Sequence, residues 1–242
     1  MKIYKEIDYN DISRRGANII SSQIIINPYS VLGLATGASP IGIYNKLIEK
    51  YKCGDLDFSN ISTVNLDEYK GLSPKNTQSY YYFMWDNLFK HINIKSQNTH
   101  IPNGMAENTE LECKRYDKIL ESLGKIDIQL LGIGVNGHIG FNEPNDNYSK
   151  GTYCVKLSQS TIQSNSKYFN PDVEMPTYAY TMGIKSIMSA KKILLVAYGI
   201  NKAQALYNCI YGPITPKIPA SILQLHTDVT IIADYTALSL IK

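Results

Sequence analysis

Val31-Leu32-Gly33-Leu34-Ala35-Thr36-Gly37-Ala38-Ser39-Pro40 is the stretch on which the fold turns. Its first five residues form a continuous apolar run of strand length. Small residues from Thr36 to Ser39 then break the run. Pro40 suits the first turn of a helix, where its missing N–H costs nothing. Ile41, Tyr44, Leu47, Ile48 and Tyr51 follow at helical spacing. A strand, a turn and a helix in that order open a βαβ unit, the building block of a parallel sheet.

The same alternation continues along the chain. Apolar runs predict strands over residues 61–66, 127–132, 192–198 and 229–233. Helices are predicted over 41–51, around 80–89 and 107–123, over 201–211, and as a short piece at 219–225. Two loops carry polar residues after strands: one begins at Asp67 and the other surrounds His138. Within the aromatic segment 80–89, Tyr81 and Phe83 read as a core stripe, and Tyr80 as part of a lid over a site. The expected architecture is α/β and Rossmann-like, a mainly parallel sheet with helices on both faces. No repeat, low-complexity tract or linker divides the 242 residues, so a single domain over 1–242 is expected.

Composition removes several classes of function. The 24 basic and 21 acidic side chains leave a net charge of only +3, and no basic run exceeds a pair, so nucleic acid is not an expected partner. The longest apolar runs are strand length, far short of a membrane span, and the first residues lack the apolar core of a secretory signal. Cys53, Cys113, Cys154 and Cys209 are widely separated and read as reduced structural thiols of a cytoplasmic protein. The four histidines lack zinc-site spacing, so no metal is expected.

Ligands of open α/β sheets bind outside the carboxyl ends of the strands, and three such ends carry unusual chemistry. Thr36-Gly37-Ala38-Ser39 offers hydroxyls and backbone N–H groups at a helix start, which suits a phosphate. It is equally readable as an ordinary strand–helix turn, and it lacks the Gly-Lys-Ser/Thr of a Walker A loop. In Asp67-Glu68-Tyr69, adjacent side chains point different ways, so one carboxylate at most faces a pocket; Asp67, first after the strand, is the candidate base. The third end, Gly132-Ile133-Gly134-Val135-Asn136-Gly137-His138-Ile139-Gly140-Phe141-Asn142-Glu143-Pro144, contains a literal G-x-G-x-x-G. No helix follows and no acidic residue ends a following strand, so a dinucleotide site is rejected. A histidine between Asn136 and Glu143 in a glycine-rich turn reads instead as a proton carrier.

Taken together, these loops resemble the glucosamine-6-phosphate deaminase (isomerase) family. The resemblance extends over nearly the whole chain: residues 34–40, Asn65-Leu66-Asp67-Glu68-Tyr69-Lys70-Gly71-Leu72, Ser79 to Met84, Gly137 to Pro144, Thr181-Met182-Gly183-Ile184, and Pro219 to His226. It implies conversion of glucosamine 6-phosphate and water to fructose 6-phosphate and ammonia, without an organic cofactor. On this sequence His138 would move the proton that opens the sugar ring, with Glu143 and Asn136 orienting it and tuning its pKa. Asp67 would take the C2 proton and return it at C1. Thr36, Gly37, Ala38, Ser39 and Lys202 match the family's phosphate contacts. Lys167 stands where many members have an arginine, which predicts weaker phosphate orientation because the bidentate fork is lost.

Asn136 replaces an aspartate found in many members, which predicts a lower pKa for His138. The short bacterial type of the family is the nearest match in pattern. The basic pair that binds N-acetylglucosamine 6-phosphate in regulated members is missing after Pro144, so no such activation is expected. The expected partner is a small hexosamine 6-phosphate, galactosamine 6-phosphate remaining open beside glucosamine 6-phosphate. The protein is expected as a monomer or homo-oligomer. Two alternatives stand beside this reading: 6-phosphogluconolactonases share the fold and a Gly-His pair, and a sugar-phosphate sensor would bind without reacting.

Overall fold

Parallel sheets need strands buried on both faces, and the four central strands are mostly apolar and buried at every position but Lys192. The structure, a computed structural model, describes residues 1–166, 169 and 175–241. Along the chain the elements are β1 (Lys2–Glu6), α1 (Tyr9–Ile26), β2 (Val31–Leu34), α2 (Ala38–Lys52), β3 (Ser62–Asn65), β4 (Asp67–Tyr69), α3 (Tyr80–Asn87), β5 (Thr99–His100) and α4 (Thr109–Leu123). There follow β6 (Ile128–Leu131), β7 (Tyr153–Lys156), α5 (Gln159–Ser166), β8 (Tyr178–Thr181), α6 (Ile184–Met188), β9 (Lys192–Ala197), α7 (Ala203–Tyr211) and β10 (Val229–Asp234).

Seven strands form one sheet in the order β1-β10-β9-β6-β2-β3-β5, with every pairing parallel. After β2 the chain moves to one side, through β3 to β5; β6 then returns to the other side of β2. The order therefore reverses between β2 and β6. Loops leaving that pair diverge above the sheet and open the crevice in which α/β proteins hold ligands. Residues 36–39 and 132–140 leave the sheet there.

The α/β, mainly parallel architecture expected from the sequence is thus the one found, with helices around the sheet. The sequence reading does not foresee β1, α1, β5, β7, α5, β8 or α6, and three further details differ. Asp67 does not sit in a loop: Asp67–Tyr69 is β4, antiparallel to β8 in a second sheet of order β4-β8-β7. Leu66 alone separates β4 from β3. Tyr81 is 39% exposed, not part of a core stripe, while Phe83 does pack against the core. Pro219–Leu225 is a 3-10 helix.

The small sheet also fastens the loop after β6. Thr181 Oγ1 on β8 accepts the Phe141 N–H at 3.1 Å, and the buried Asn142 amide donates to the carbonyls of Ile139 and Met182. Since Asp67 pairs with Thr181 across β4 and β8, the strand of Asp67 and the loop of His138 are both pegged to β8.

Candidate active site

At the carboxyl end of β2 the chain turns directly into α2, whose N-cap Gly37 supplies no side-chain cap. A helix start has N–H groups without intrahelical partners and a partial positive charge, so this end is suited to an anion. Tyr9 fixes its position: the hydroxyl donates to the Ala38 carbonyl at 2.7 Å and accepts the Gly42 N–H at 2.8 Å. Lys202, after β9, reaches the same region, its Nζ donating to the Ile133 carbonyl at 2.7 Å.

Asp67 is 5% exposed. Burial, with the Glu68 charge adding to it, raises its pKa to about 8. Gly140 lies beside its carboxylate. A Cβ there would stand 3.4 Å from Asp67 Oδ2 and 3.2 Å from Thr181 Oγ1, and Gly140 has φ 56°, which penalises any other residue. Glu68 points the other way, as alternation along a strand requires. It accepts the backbone N–H groups of Tyr69, Tyr80 and Tyr81 at 2.8–2.9 Å. Tyr80 lines the cleft, its ring stacked on Phe141 at 5.9 Å and 7°.

His138 closes a tight turn in which the Gly134 N–H donates to the His138 carbonyl at 2.9 Å. The imidazole folds back over Gly134 so closely that a Cβ on that residue would lie 2.3–2.5 Å from three ring atoms. Only glycine fits. Nδ1 stands 3.7 Å from Glu143 Oε2, within ion-pair range but beyond a hydrogen bond. Asn136 does not bond the ring either. Its amide nitrogen donates to Glu143 Oε2 at 2.9 Å and its oxygen accepts the His138 backbone N–H at 3.2 Å. It therefore holds the carboxylate and the turn, and orients the imidazole through them. The His138 pKa is lowered, as the sequence implied, but burial is the main cause, with Lys202 adding to it and Glu143 opposing.

The structure brings Thr36, Gly37, Ala38, Ser39, Asp67, Asn136, His138 and Lys202 to the walls of one cleft of about 660 Å³, the size of a small-molecule site. Glu143 stands behind His138, outside that lining. Lys167 lies outside the described residues. Sequence reasoning missed Thr161 and Asn165 of α5, both of which line the cleft. The Thr161 hydroxyl donates to Glu143 Oε1, and Asn165 donates to the Tyr69 hydroxyl at 3.0 Å. Nothing in the polar run of α5 distinguishes them beforehand. Among the described residues no group of three His, Cys, Asp or Glu is placed to hold a metal ion.

A family model, that of the glucosamine-6-phosphate isomerases/6-phosphogluconolactonase, matches residues 10–232. The chain belongs to that family. Among its relatives in the family, a glucosamine-6-phosphate deaminase of Lachnoclostridium phytofermentans is 58% identical over 232 residues, covering 96% of this chain and 98% of the relative. One of Thermoanaerobacter pseudethanolicus is 53% identical over 241 residues, 100% of this chain and 95% of the relative. The solved structure of a monomeric glucosamine-6-phosphate deaminase superposes with a TM-score of 0.96 at 46% identity, covering 99% of this chain and all of that one. A 6-phosphogluconolactonase from Trypanosoma cruzi gives 0.81 at 17% identity, over 100% and 97% of the two chains, which establishes a shared fold alone.

Proposed function

We propose that this chain is a single catalytic domain that converts glucosamine 6-phosphate and water to fructose 6-phosphate and ammonia. The observation that carries the reading is a buried carboxylate and an imidazole sharing one cleft with an uncapped helix start and a lysine. Relatives 52–58% identical over nearly the full chain are deaminases, which sets this reading ahead of the lactonase one.

The C2 proton of an aldose is acidic only when C1 is a carbonyl, so ring opening must come first and needs its own proton carrier. His138, held neutral by burial, takes the proton from the C1 hydroxyl and delivers it to the ring oxygen as the C1–O5 bond breaks. Glu143 stabilises the imidazolium that forms in passing, and Asn136 keeps that carboxylate in place. Asp67 then removes the C2 proton to give an enolamine and returns it to C1, which leaves an imine at C2. Water adds to that imine, the C–N bond breaks, and ammonia leaves with the amine proton count made up by the added water. Once ionised, a carboxylate with a pKa of about 8 takes a weakly acidic C–H more readily than an ordinary carboxylate would. The α2 start, Ser39 and Lys202 hold the phosphate, and Lys167 is assigned to the same group by its place in the sequence.

No step calls for a cofactor. All assigned groups come from one chain, and the solved deaminase 46% identical to it is monomeric. No helix among the described residues is long and apolar enough to cross a membrane. The reading puts the protein in the cytoplasm, where charged sugar phosphates are retained. Ammonia and fructose 6-phosphate measured from glucosamine 6-phosphate should be equimolar and vanish with Asp67→Asn. Hydrolysis of 6-phosphogluconolactone without ammonia release would move the assignment to the other branch of the family. Binding of either sugar phosphate without turnover would make the chain a sensor.

A further inference from the structure

Glu68 is buried, 2% exposed, and takes no part in the chemistry assigned above. A carboxylate at that depth needs partners, and it has three. One oxygen accepts the N–H groups of Tyr69 and Tyr80, and the other accepts that of Tyr81. Tyr80 and Tyr81 are the first residues of α3, and Ser79, the N-cap, receives the Tyr82 N–H at 3.1 Å. The first turn of α3 is therefore capped jointly by its own serine and by an acid from β4.

That cap fixes more than a helix. Tyr80 begins α3, and its hydroxyl donates to that of Tyr69 at 3.3 Å and lies close to the Thr36 side chain in the turn after β2. Its ring lies over Phe141, the neighbour of Gly140, against which the Asp67 carboxylate packs. One carboxylate thus ties β4, α3 and the aromatic wall of the cleft to the turn assigned to the phosphate.

We propose that Glu68 is a positioning residue, which locks the base strand to α3 through the two amides of Tyr80 and Tyr81 and supplies the negative charge beside Asp67. The proposal rests on the reading of Asp67 as the base. Other titratable groups face Asp67 as well: Tyr69 on its own strand, Tyr80 from α3 and Tyr116 from α4. Burial holds all three phenols far above neutrality, so they stay uncharged in the working range. β8 presents Thr181, which does not titrate, and the loop after β6 brings His138 to the same cleft, with Lys202 beside it. Glu68 is the acid whose ionisation Asp67 feels: burial raises its pKa to about 7, the three donated N–H groups oppose that rise, and it ionises below the value of about 8 at which Asp67 does.

Two variants and two readouts test this. Glu68→Gln removes the charge at nearly constant shape. Glu68→Asp keeps the charge but shortens the reach to the α3 amides. The acid limb of kcat/KM against pH should move down by about one unit or more in Glu68→Gln and stay within about 0.3 unit of wild type in Glu68→Asp. Plateau kcat should fall about tenfold in both, as Tyr80 loosens. The 13C carboxyl shift of Asp67, followed against pH in the intact protein without substrate, should move in parallel with the limb. A Glu68→Gln protein whose limb and Asp67 midpoint both match wild type would reduce Glu68 to an ordinary helix cap and overturn the proposal. If Glu68→Gln does not fold, a downward shift in Glu68→Asp overturns it equally, since there the charge is kept. Absence of deamination by wild type would sink the reaction while the 13C midpoints still judged Glu68.

Discussion

Asp67 and His138 serve the same cleft, yet the backbone beneath each is of a different kind. Asp67 opens β4, a strand paired residue for residue with β8, with Leu66 and Tyr69 buried around it. His138 ends a glycine turn, leaves 23% of its side chain exposed, and is placed by contacts with a glycine and a carboxylate it does not directly bond. A base that attacks carbon needs dryness and a fixed direction, which a sheet provides. A carrier that passes a proton between two oxygens of a moving ring needs latitude, which a turn provides.

Changes that attack the rigid side should cost most. Asp67→Asn should lower kcat by about a thousandfold or more. It should also stabilise the fold. The folded-state pKa of Asp67, about 8, lies above its unfolded value, so its contribution is full below about pH 4 and is lost as pH rises towards 8. Asparagine has no such loss. The variant should gain on the order of 2–4 kcal/mol relative to wild type at pH 7, seen as melting curves that diverge with pH. A variant that loses both activity and stability would mean that Asp67 is a structural acid, and the contrast would collapse.

On the side of the turn, Gly134→Ala tests placement with every proton-carrying group left intact. The new Cβ would occupy the space of the imidazole, so His138 must move by an ångström or more. We expect kcat to drop about a hundredfold with KM changed by less than about threefold, because the phosphate turn is untouched. Unchanged kcat would show that the turn tolerates more than the close packing implies.

Asn136→Asp addresses charge without displacement. A second carboxylate beside Glu143 should raise the His138 midpoint by about one unit in an NMR titration, and change kcat only a few-fold. A lowered midpoint would mean that the amide bond from Asn136 to Glu143 matters more than the added charge. The smallest expected effect is none: N-acetylglucosamine 6-phosphate should leave the saturation curve hyperbolic and in place. A leftward shift would reveal regulation that the residues after Pro144 do not foretell.

The contrast between the two loops was only half legible in the sequence. The His138 turn is local, so its glycines, Asn136 and Glu143 stand together in the text and announce themselves. The strands of the large sheet are buried on both faces and read as plain apolar runs, as do the helical stripes of α2 and α7. β4 is different. Asp67-Glu68-Tyr69 has three residues and no apolar run, and its partner is formed only much later, at Tyr178–Thr181. Short non-local pairing leaves no periodic trace, so Asp67 reads as a loop residue. For the same reason Glu68 passes as solvated although it is buried under α3. Asn136 was expected to meet the imidazole, whereas its amide is used by Glu143 and the turn; hydrogen-bonding capacity is visible in sequence, but direction is not. Thr161 and Asn165 acquire their role only through the docking of α5.

The single residue between β3 and β4 has a consequence for what this cleft can accept. One residue spans at most about 3.6 Å, so Leu66 leaves no slack between the sheets. The turn proposed to hold the phosphate follows a strand of the large sheet, and the proposed base belongs to the small one. Their separation is therefore a fixed ruler, read against the carbons between a substrate's phosphate and its C2. A sugar phosphate with one carbon fewer or more would seat its phosphate and miss the carboxylate. Anyone wishing to retune the chain length it accepts should work on the packing between the two sheets, well away from the groups that touch the sugar.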